Sequence, residues 1–269
     1  MHKDDYISSQ AVKEFILWIE PILSTPQSFM HTYYHKKNKK VYKFDNLFSA
    51  YEKYDWDGEH TIEELSDILL NSIIESDEKS CEKACYMILE WGGVKNKGNK
   101  NRIAKLNPNL CAYLSALQER MRMYLPSQEY FYPELQMTSG FSKIYSACID
   151  EYIIYDSRVG AALGLLIRTF CIQNNFPNIP HQLQFVWTNG RGTQERNPSQ
   201  DKYEFPKLRL YKEDDYFENN VRANWLVSAI ANSTKSRFAN LNTQLRLRAI
   251  EKALFMIGYD IHNFSISIN

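Results

Sequence analysis

The stretch that decides the fold runs from Met137 to Leu163 and reads MTSGFSKIYSACIDEYIIYDSRVGAAL. A Thr-Ser-Gly turn precedes a segment compatible with a short helix over 142–149, about 12 Å long at the rise of an α-helix. Asp156 then stands where an N-cap begins a second apolar helix. The intervening residues can span about 20 Å when extended. We therefore expect the chain to bring Asp156 beside Lys143, near the starts of two helices.

The chemistry of such a corner suits cleavage at a sugar C1′ carbon. Backbone N–H groups of the Gly140 turn can hold a phosphate. The positive end of a helix disfavours an ammonium ion, which makes a lysine such as Lys143 a better nucleophile. A carboxylate beside it can stabilise an oxocarbenium ion or orient a water. The same residues also have an ordinary interpretation, in which Lys143 is solvated and Asp156 only caps its helix.

The composition of the whole chain indicates an ordinary globular protein. Its 269 residues are 24% charged and 44% apolar, with 32 basic and 32 acidic side chains. This balance excludes a disordered or fibrous chain and argues against a strongly basic nucleic-acid coat, although a local basic cleft remains compatible with it. The first residues contain no apolar signal region, and no apolar run reaches the roughly 20 residues that span a bilayer. We expect a cytoplasmic protein with no membrane contact.

Helical periodicity dominates the chain, so we predict a mainly α fold with at most a small β element. Thr61 and Glu64 form a predicted capping box at the start of one helix. Short strands are predicted over 40–44, 183–187 and 207–211 and in the tail FSISI. The segment 174–206 is rich in Asn, Gly, Pro and Gln, which predicts a long loop. We expect one compact helical unit over 1–269, made of two helical subdomains that flank a cleft.

Cysteines and histidines give no indication of a metal or cofactor. The five cysteines are scattered and odd in number, which favours reduced thiols, and Cys81 and Cys85 have the spacing of a helix core. His31 and His35 in HTYYH have a helix-compatible spacing for a metal pair, but no glutamate follows the first histidine as a zincin requires. We predict no metal and no cofactor.

Two basic segments are candidates for contact with nucleic acid. The first, WGGVKNKGNKNRIAK, begins at Trp91 and carries Lys95, Lys97, Lys100 and Arg102. It can grip phosphates, or it can be a glycine C-cap followed by a solvated basic loop. The second, NGRGTQERNPS, carries Arg191 and Arg196, which can line a groove or decorate a turn. Stacking of a flipped base needs aromatic faces, and Tyr155 and Trp187 are the rings we predict for a base pocket.

The stretch SGFSKIYSACIDEYIIYDSRVGAAL resembles the helix-hairpin-helix DNA glycosylases, particularly relatives of the 8-oxoguanine glycosylases. The resemblance covers about 27 of the 269 residues, and we predict a helix-hairpin-helix-like segment and the following helix over 133–170. It implies that Gly140 is the hairpin glycine, with Ser142 beside it at the DNA backbone. It further implies that Lys143 is a Schiff-base nucleophile and that Asp156 is the catalytic carboxylate. The hairpin reads MTSGF where the family has a Leu-Pro-Gly-Val-Gly pattern.

What the resemblance implies for function is base excision from double-stranded DNA that contains a damaged or modified base. An oxidised purine is the implied substrate, and glucosylated hydroxymethylcytosine of phage DNA is a second option, so the process can be DNA repair or antiviral defence. Two alternatives from other classes stay open at this point. One is a catalytically silent DNA-binding module. The other is a helical component of a bacterial defence assembly, in which Lys143 and Asp156 form an ordinary ion pair.

Overall fold

The computed structural model describes residues 1–56, 59–122, 135–190, 192–208 and 213–267, without the side chains of residues 213, 214 and 244. This part of the chain contains eleven α-helices and three β-strands, which confirms the prediction of a mainly helical protein with a small sheet. The helices are α1 (Lys3–Ser8), α2 (Gln10–Ser24), α3 (Leu47–Glu52), α4 (Ile62–Ile74), α5 (Glu78–Trp91), α6 (Lys97–Leu106), α7 (Leu110–Arg122), α8 (Ser139–Cys148), α9 (Ser157–Gln173), α10 (Glu213–Ser233) and α11 (Thr243–Ile257). The strands are β1 (Phe29–His35), β2 (Lys40–Phe44) and β3 (Phe264–Ile266).

The first of two compact units contains Met1–Lys3, Trp56–Ile154 and Tyr211–Val221. Helices α4, α5, α7 and α8 pack against one another in it and bury an apolar core. Thr61 and Glu64 form the predicted capping box at the start of α4. Cys81 and Cys85 are buried free thiols on α5, as their helical spacing predicted.

The second compact unit contains Asp4–Asp55, Tyr155–Leu210 and Arg222–Asn269. Helix α9 is apolar along nearly its whole length and packs against α2 and α11. The sheet lies in this unit with the strand order β2-β1-β3, antiparallel throughout, so the tail of the chain pairs with its first strand. The strands predicted over 40–44 and in the tail are therefore confirmed.

One local prediction is wrong. The strand predicted over 183–187 is absent, since Leu183 ends a 3₁₀ turn (His181–Leu183) and only Trp187 makes a bridge, with Lys207. The HTYYH segment forms most of β1, in which Phe29, His31 and Tyr33 are buried and the residues between them are more exposed. In an extended strand residues four apart lie about 13 Å from each other, so His31 and His35 do not have the spacing of a metal pair.

The irregular segment 174–206 is a loop, as predicted, but it is packed and not loose. The Tyr203 hydroxyl donates to the Phe176 carbonyl oxygen at 2.9 Å. A Cβ added to Gly164 would lie 2.5 Å from Cγ of Pro198, so this glycine lets the loop lie directly on α9. Arg168 of α9 donates from Nη1 to the Pro198 carbonyl oxygen at 2.8 Å. A second 3₁₀ turn (Arg237–Asn240) precedes α11.

No helix in the described ranges is both long enough and apolar enough to cross a membrane. The predicted cleft between two helical subdomains stays a prediction. The predicted strand over 207–211 lies partly outside the described residues, because only its first two positions are described.

Candidate functional site

Asp156 is the N-cap of α9, as its sequence position predicted. Its Oδ1 accepts the backbone N–H of Arg158 at 2.8 Å and that of Val159 at 3.2 Å. Aspartate is among the best N-cap residues, and the positive end of the helix favours its charge. The side chain is only partly buried. The cap therefore holds a carboxylate in one orientation at the surface of the second unit.

Arg196 lies behind this helix start and holds it in place. Its Nη1 donates to the Ser157 hydroxyl, and its Nε donates to the Tyr259 carbonyl oxygen at 3.2 Å. Burial lowers the pKa of Arg196 to about 10, and the nearby charge of Arg158 contributes in the same direction. The guanidinium stays protonated at neutral pH. Arg196, which belongs to the loop 174–206, thus connects this loop to Tyr259 after α11 and to Ser157, the residue that follows Asp156.

Arg158 projects from the first turn of α9 onto the aromatic face of α11. Its guanidinium carbon lies 4.1 Å from the ring centroid of Phe255 and 5.0 Å from that of Tyr259. Burial lowers the pKa of Arg158, and the negative charge of Asp156 opposes this effect. Arg158 was not predicted as a site residue, although a charged residue between a cap and an apolar run is a visible signal. Phe255 and Tyr259 were not predicted either, and the sequence carries no such signal for them.

Gly258 sets how closely α9 and α11 approach each other. A Cβ at this position would lie 1.8 Å from the carbonyl oxygen of Arg158. Its φ of −79° is ordinary, so the position needs a glycine for space and not for conformation. The absence of a side chain at Gly258 therefore positions the start of α9, including Asp156.

Lys143 is buried in α8, within the first unit, with 4% of its surface exposed. Its Nζ donates to the Ser139 carbonyl oxygen at 3.1 Å. The aliphatic part lies against Gly92, where an added Cβ would be 2.3 Å from Cδ of Lys143. Gly92 therefore makes the space that the lysine occupies.

The turn that was predicted to hold a phosphate is the N-terminus of α8. The helix begins at Ser139, earlier than predicted, so Gly140 lies inside its first turn. The Thr138 hydroxyl accepts the N–H groups of Gly140 and Phe141, each at 3.1 Å. Ser142 is fully buried and donates to Oδ1 of Asn220 at 2.9 Å, so its hydroxyl is not presented to a ligand at the surface. Residues 133 and 134 of the predicted hairpin segment lie outside the described residues.

The basic segment after Trp91 is a helix, and the prediction of a basic loop is wrong beyond its first residues. Asn96 caps α6 through the Asn99 N–H at 2.9 Å, a signal that the sequence contained. Lys97 and Lys100 are exposed on this helix, which contains no acidic residue. Lys95 forms an ion pair with Glu90, with 2.6 Å between Nζ and Oε2, and Arg102 Nη1 donates a hydrogen bond to Oε1 of Gln136 at 2.9 Å. The first unit therefore presents a positively charged helix.

The two rings predicted for a base pocket lie in the core of the second unit. The Tyr155 hydroxyl donates to the Val186 carbonyl oxygen at 2.6 Å, and Trp187 Nε1 donates to that of Phe205 at 3.1 Å. Both rings are buried, which corrects the expectation that their faces are accessible. We do not propose them as base-contacting residues. Arg191 lies outside the described residues, and Arg196 is a buried structural arginine and not a residue of an open groove.

Lys143 and Asp156 belong to different compact units, and the predicted proximity of their side chains stays a prediction. Among the described residues, no group of three or more His, Cys, Asp or Glu side chains is placed to hold a metal ion. Comparison of the chain with protein-family models, with curated proteins and with solved structures finds no match.

Proposed function

We propose that this protein is a DNA glycosylase of the helix-hairpin-helix type, which removes a damaged or modified base from double-stranded DNA. The observation that carries the proposal is Asp156, a partly exposed carboxylate that caps the start of an apolar helix. The resemblance of the segment around it to the glycosylases assigns the catalytic carboxylate to this position. The mainly helical fold and the basic α6 are compatible with the same proposal.

The proposed chemistry begins with a nucleotide that leaves the duplex, at a cost of about a few kcal/mol of unstacking. Cleavage of the N-glycosidic bond leaves positive charge on the sugar, and the base departs with the bonding electrons and takes up a proton. Asp156 stabilises the cationic sugar or orients the water that attacks C1′. The N–H groups of Arg158 and Val159 hold Oδ1, so the carboxylate needs little reorganisation in the transition state.

The test is an assay for alkali-labile abasic sites in three duplexes: unmodified DNA, DNA with 8-oxoguanine and DNA with glucosylated hydroxymethylcytosine. The matched variant is Asp156→Asn. Asparagine is also a strong N-cap, so it keeps the hydrogen bonds to the α9 backbone and removes the charge. We expect abasic sites on one of the modified duplexes and a loss of rate of about 100-fold or more in the variant.

Two results would contradict the proposal. One is the absence of abasic sites on all three duplexes. The other is equal release by the wild type and a folded Asp156→Asn variant, since a residual contaminating activity would behave in that way. Thermal melting of the variant within a few degrees of the wild type checks that the charge, and not the fold, was changed.

A catalytically silent DNA-binding module is the second candidate, and the enclosure of Lys143 favours it. The aliphatic part of Lys143 lies against Gly92 and its amine donates to the Ser139 carbonyl oxygen, so attack on a sugar requires the side chain to move. This candidate predicts duplex binding with a steep dependence on salt and no base release from any of the three substrates.

A further inference from the structure

Cysteine side chains meet in the core of the first unit. Cys81 lies on α5, and its sulfur is within hydrogen-bonding reach of the thiols of Cys85, one turn later on the same helix, and of Cys111 in the first turn of α7. Cys111 Sγ also donates to the Ser72 carbonyl oxygen at 3.6 Å, and the Ser72 side chain is within reach of Cys81. All three thiols are buried and free. We call Cys81, Cys85 and Cys111 the thiol cluster.

Glu78 fixes the position of Cys111 relative to Cys81. It is the first residue of α5, and its two carboxylate oxygens accept the backbone N–H groups of Leu110 and Cys111 at 2.9 Å and 3.1 Å. This cap holds the start of α7 against the start of α5. Cys81 is three residues after Glu78 and therefore lies on the same face of α5. The contact between the two helix starts thus keeps the Cys111 thiol beside that of Cys81.

Cys111 suits a disulfide with Cys81 better than Cys85 does. Residues four apart on a helix have Cβ atoms about 5–6 Å from each other, whereas a disulfide needs about 3.5–4.5 Å. Cys85 therefore cannot be joined to Cys81 unless α5 unwinds. Cys111 belongs to a different helix, so the direction of its Cβ is not set by α5.

The thiols of the cluster differ in reactivity. The pKa of Cys81 is lowered, first by its contact with the Cys85 thiol, and burial opposes this effect. Burial raises the pKa of Cys111, and also that of Cys171 in the second unit. The thiolate is the form that reacts with peroxides, so Cys81 is the thiol that such an oxidant attacks first. Cys111 keeps 4% of its surface exposed and Glu78 is only partly buried, so the cluster lies beside solvent.

We propose that the thiol cluster is a site of oxidation by hydrogen peroxide, at which Cys81 and Cys111 form a disulfide. The Cys81 thiolate attacks one peroxide oxygen and breaks the O–O bond. Its sulfur becomes a sulfenic acid, and the departing hydroxide takes up the proton that Cys81 had released. The Cys111 thiol then loses its proton and attacks the Cys81 sulfur, and the sulfenic hydroxyl leaves as water. In total two thiols are oxidised to a disulfide, and one peroxide is reduced to two waters.

The disulfide closes a ring that runs from Cys81 to Cys111 and contains the end of α5, Gly92 and the whole of α6. A cross-link restricts the unfolded chain, so we expect oxidation to make the protein more resistant to urea. The inference does not depend on the proposed function, because the bond and its effect on unfolding are measured without DNA.

The experiment treats the reduced full chain with hydrogen peroxide, blocks the remaining thiols with N-ethylmaleimide and maps linkages by tryptic digestion and mass spectrometry. The five cysteines fall on five different tryptic peptides, because Lys83 separates Cys81 from Cys85, so every pairing is distinguishable. A parallel sample is oxidised in urea. Cys111→Ser removes the thiol that attacks the sulfenic acid. Cys171→Ser makes the same change at a buried cysteine of the second unit.

We expect the folded wild type to lose two of its five thiols and to give the peptide pair that joins Cys81 to Cys111. In urea the link between Cys81 and Cys85 should dominate, because the shorter loop costs less entropy to close. Cys111→Ser should accumulate a sulfenic acid at Cys81, which dimedone traps. Cys171→Ser should form the disulfide like the wild type. The midpoint of urea unfolding should rise on oxidation and return to its first value with dithiothreitol.

Three results would overturn the inference: five intact thiols in the folded protein after peroxide treatment, a link from Cys81 to a cysteine other than Cys111, or the same pattern of links in urea as in the folded protein. All three are read on the wild type, so they decide the proposal even where a variant does not fold. An oxidised protein that unfolds at the same or a lower urea concentration would overturn the stabilising effect of the ring.

Discussion

At the scale of single residues, the two groups named from the sequence have different environments. Asp156 is a surface carboxylate whose orientation is set by two backbone N–H groups. Lys143 is a buried amine whose aliphatic part fills the space left by Gly92. A capped carboxylate can act without rearrangement, whereas the lysine must leave its hydrogen bond with Ser139 before it can form a covalent bond. The two proposed contributions to catalysis are therefore separable by substitution.

Lys143→Met tests the covalent contribution. Methionine retains an unbranched chain against Gly92 and removes the amine, so the packing of α8 is nearly conserved. If Lys143 forms an imine with the sugar, borohydride traps the wild type on abasic DNA as a covalent adduct, and we expect the variant to give none. An adduct of equal yield in Lys143→Met would assign the imine to another amine. Base release by the variant, measured in parallel, reports on the function of Asp156 alone.

Gly92→Ala tests whether the glycine is there to accommodate the lysine. The new Cβ would lie 2.3 Å from Cδ of Lys143, so we expect a loss of about 1–3 kcal/mol in the free energy of unfolding. In a Lys143→Ala background the same change should cost much less, because the clashing chain is gone. Urea unfolding of the four proteins of this cycle gives the coupling, and additive effects would contradict the explanation.

At the scale of elements, the contact between the start of α9 and the end of α11 determines the geometry around Asp156. Gly258 lets the two backbones approach, and Arg196 bridges Ser157 to the Tyr259 carbonyl oxygen. Arg158 lies on the rings of Phe255 and Tyr259 across the same contact. The close approach at Gly258, the bridge by Arg196 and the contacts of Arg158 all join residues that are far apart in the sequence.

Gly258→Ala should destabilise the protein by about 3 kcal/mol, because the added Cβ would overlap the Arg158 carbonyl oxygen and neither backbone can move freely. Gly93→Ala is the matched control. Gly93 has a φ of +64° but no neighbour within 4 Å of an added Cβ, so its substitution should cost only about 1 kcal/mol of backbone strain. Urea unfolding measures both, and a smaller effect at Gly258 than at Gly93 would contradict this interpretation.

His31 connects β1 to the end of α11, and its titration should make stability depend on pH. The ring nitrogens lie 2.9 Å and 3.1 Å from the carbonyl oxygens of Asn263 and Ile257. Burial lowers the pKa of His31 below its ordinary value of 6.5, and these two contacts offset part of the effect. As the pH decreases below 6.5, His31 of the unfolded chain takes up a proton before His31 of the folded protein does. The free energy of unfolding therefore decreases as the pH is lowered, until the pKa of His31 in the folded protein is reached.

The expected loss from His31 is about 1.4 kcal/mol for each unit by which its pKa is lowered. Urea unfolding between pH 7.5 and 5.0 should show this loss in the wild type and a smaller one in His31→Gln. His35 also has a lowered pKa, caused first by burial, and contributes the part that His31→Gln retains. His181→Gln, at an exposed position, is the control. Parallel pH curves for the wild type and His31→Gln would refute the prediction.

At the scale of the whole molecule, each compact unit is assembled from three separate stretches of the chain. In the first unit, Asn220 accepts a hydrogen bond from Ser142 and donates from Nδ2 to the Ile153 carbonyl oxygen at 3.2 Å. Phe217 packs edge-to-face on Tyr145 at 6.3 Å between ring centroids. A short stretch late in the chain therefore completes a core that begins more than a hundred residues earlier.

A fragment that contains only residues 56–154 should not fold cooperatively. It lacks Phe217 and Asn220, which leaves an apolar gap beside Tyr145 and exposes the Ser142 hydroxyl. Thermal melting followed by circular dichroism should give a broad transition or none, and addition of a peptide covering 211–221 should sharpen it. A sharp transition of the fragment alone would show that this stretch is dispensable for the unit.

Much of the architecture was predictable because its signals are local. The helices follow from apolar spacing, the capping box of α4 from Thr61 and Glu64, and the cap of α9 from Asp156. The predictions failed where local patterns are ambiguous. LQFVW at 183–187 has the composition of a strand, yet Leu183 ends a 3₁₀ turn and only Trp187 makes a bridge.

By itself the sequence determined a mainly helical chain and the position of its capped aspartate, since both depend on neighbours along the chain. Only the tertiary structure decided that Lys143 is buried, that Tyr155 and Trp187 are core residues, and that Arg196 is structural. It also decided that Cys111 lies beside Cys81 in the thiol cluster. Burial and contact depend on residues distant in sequence, and the spacing of residues along one chain carries no record of which distant segments pack together.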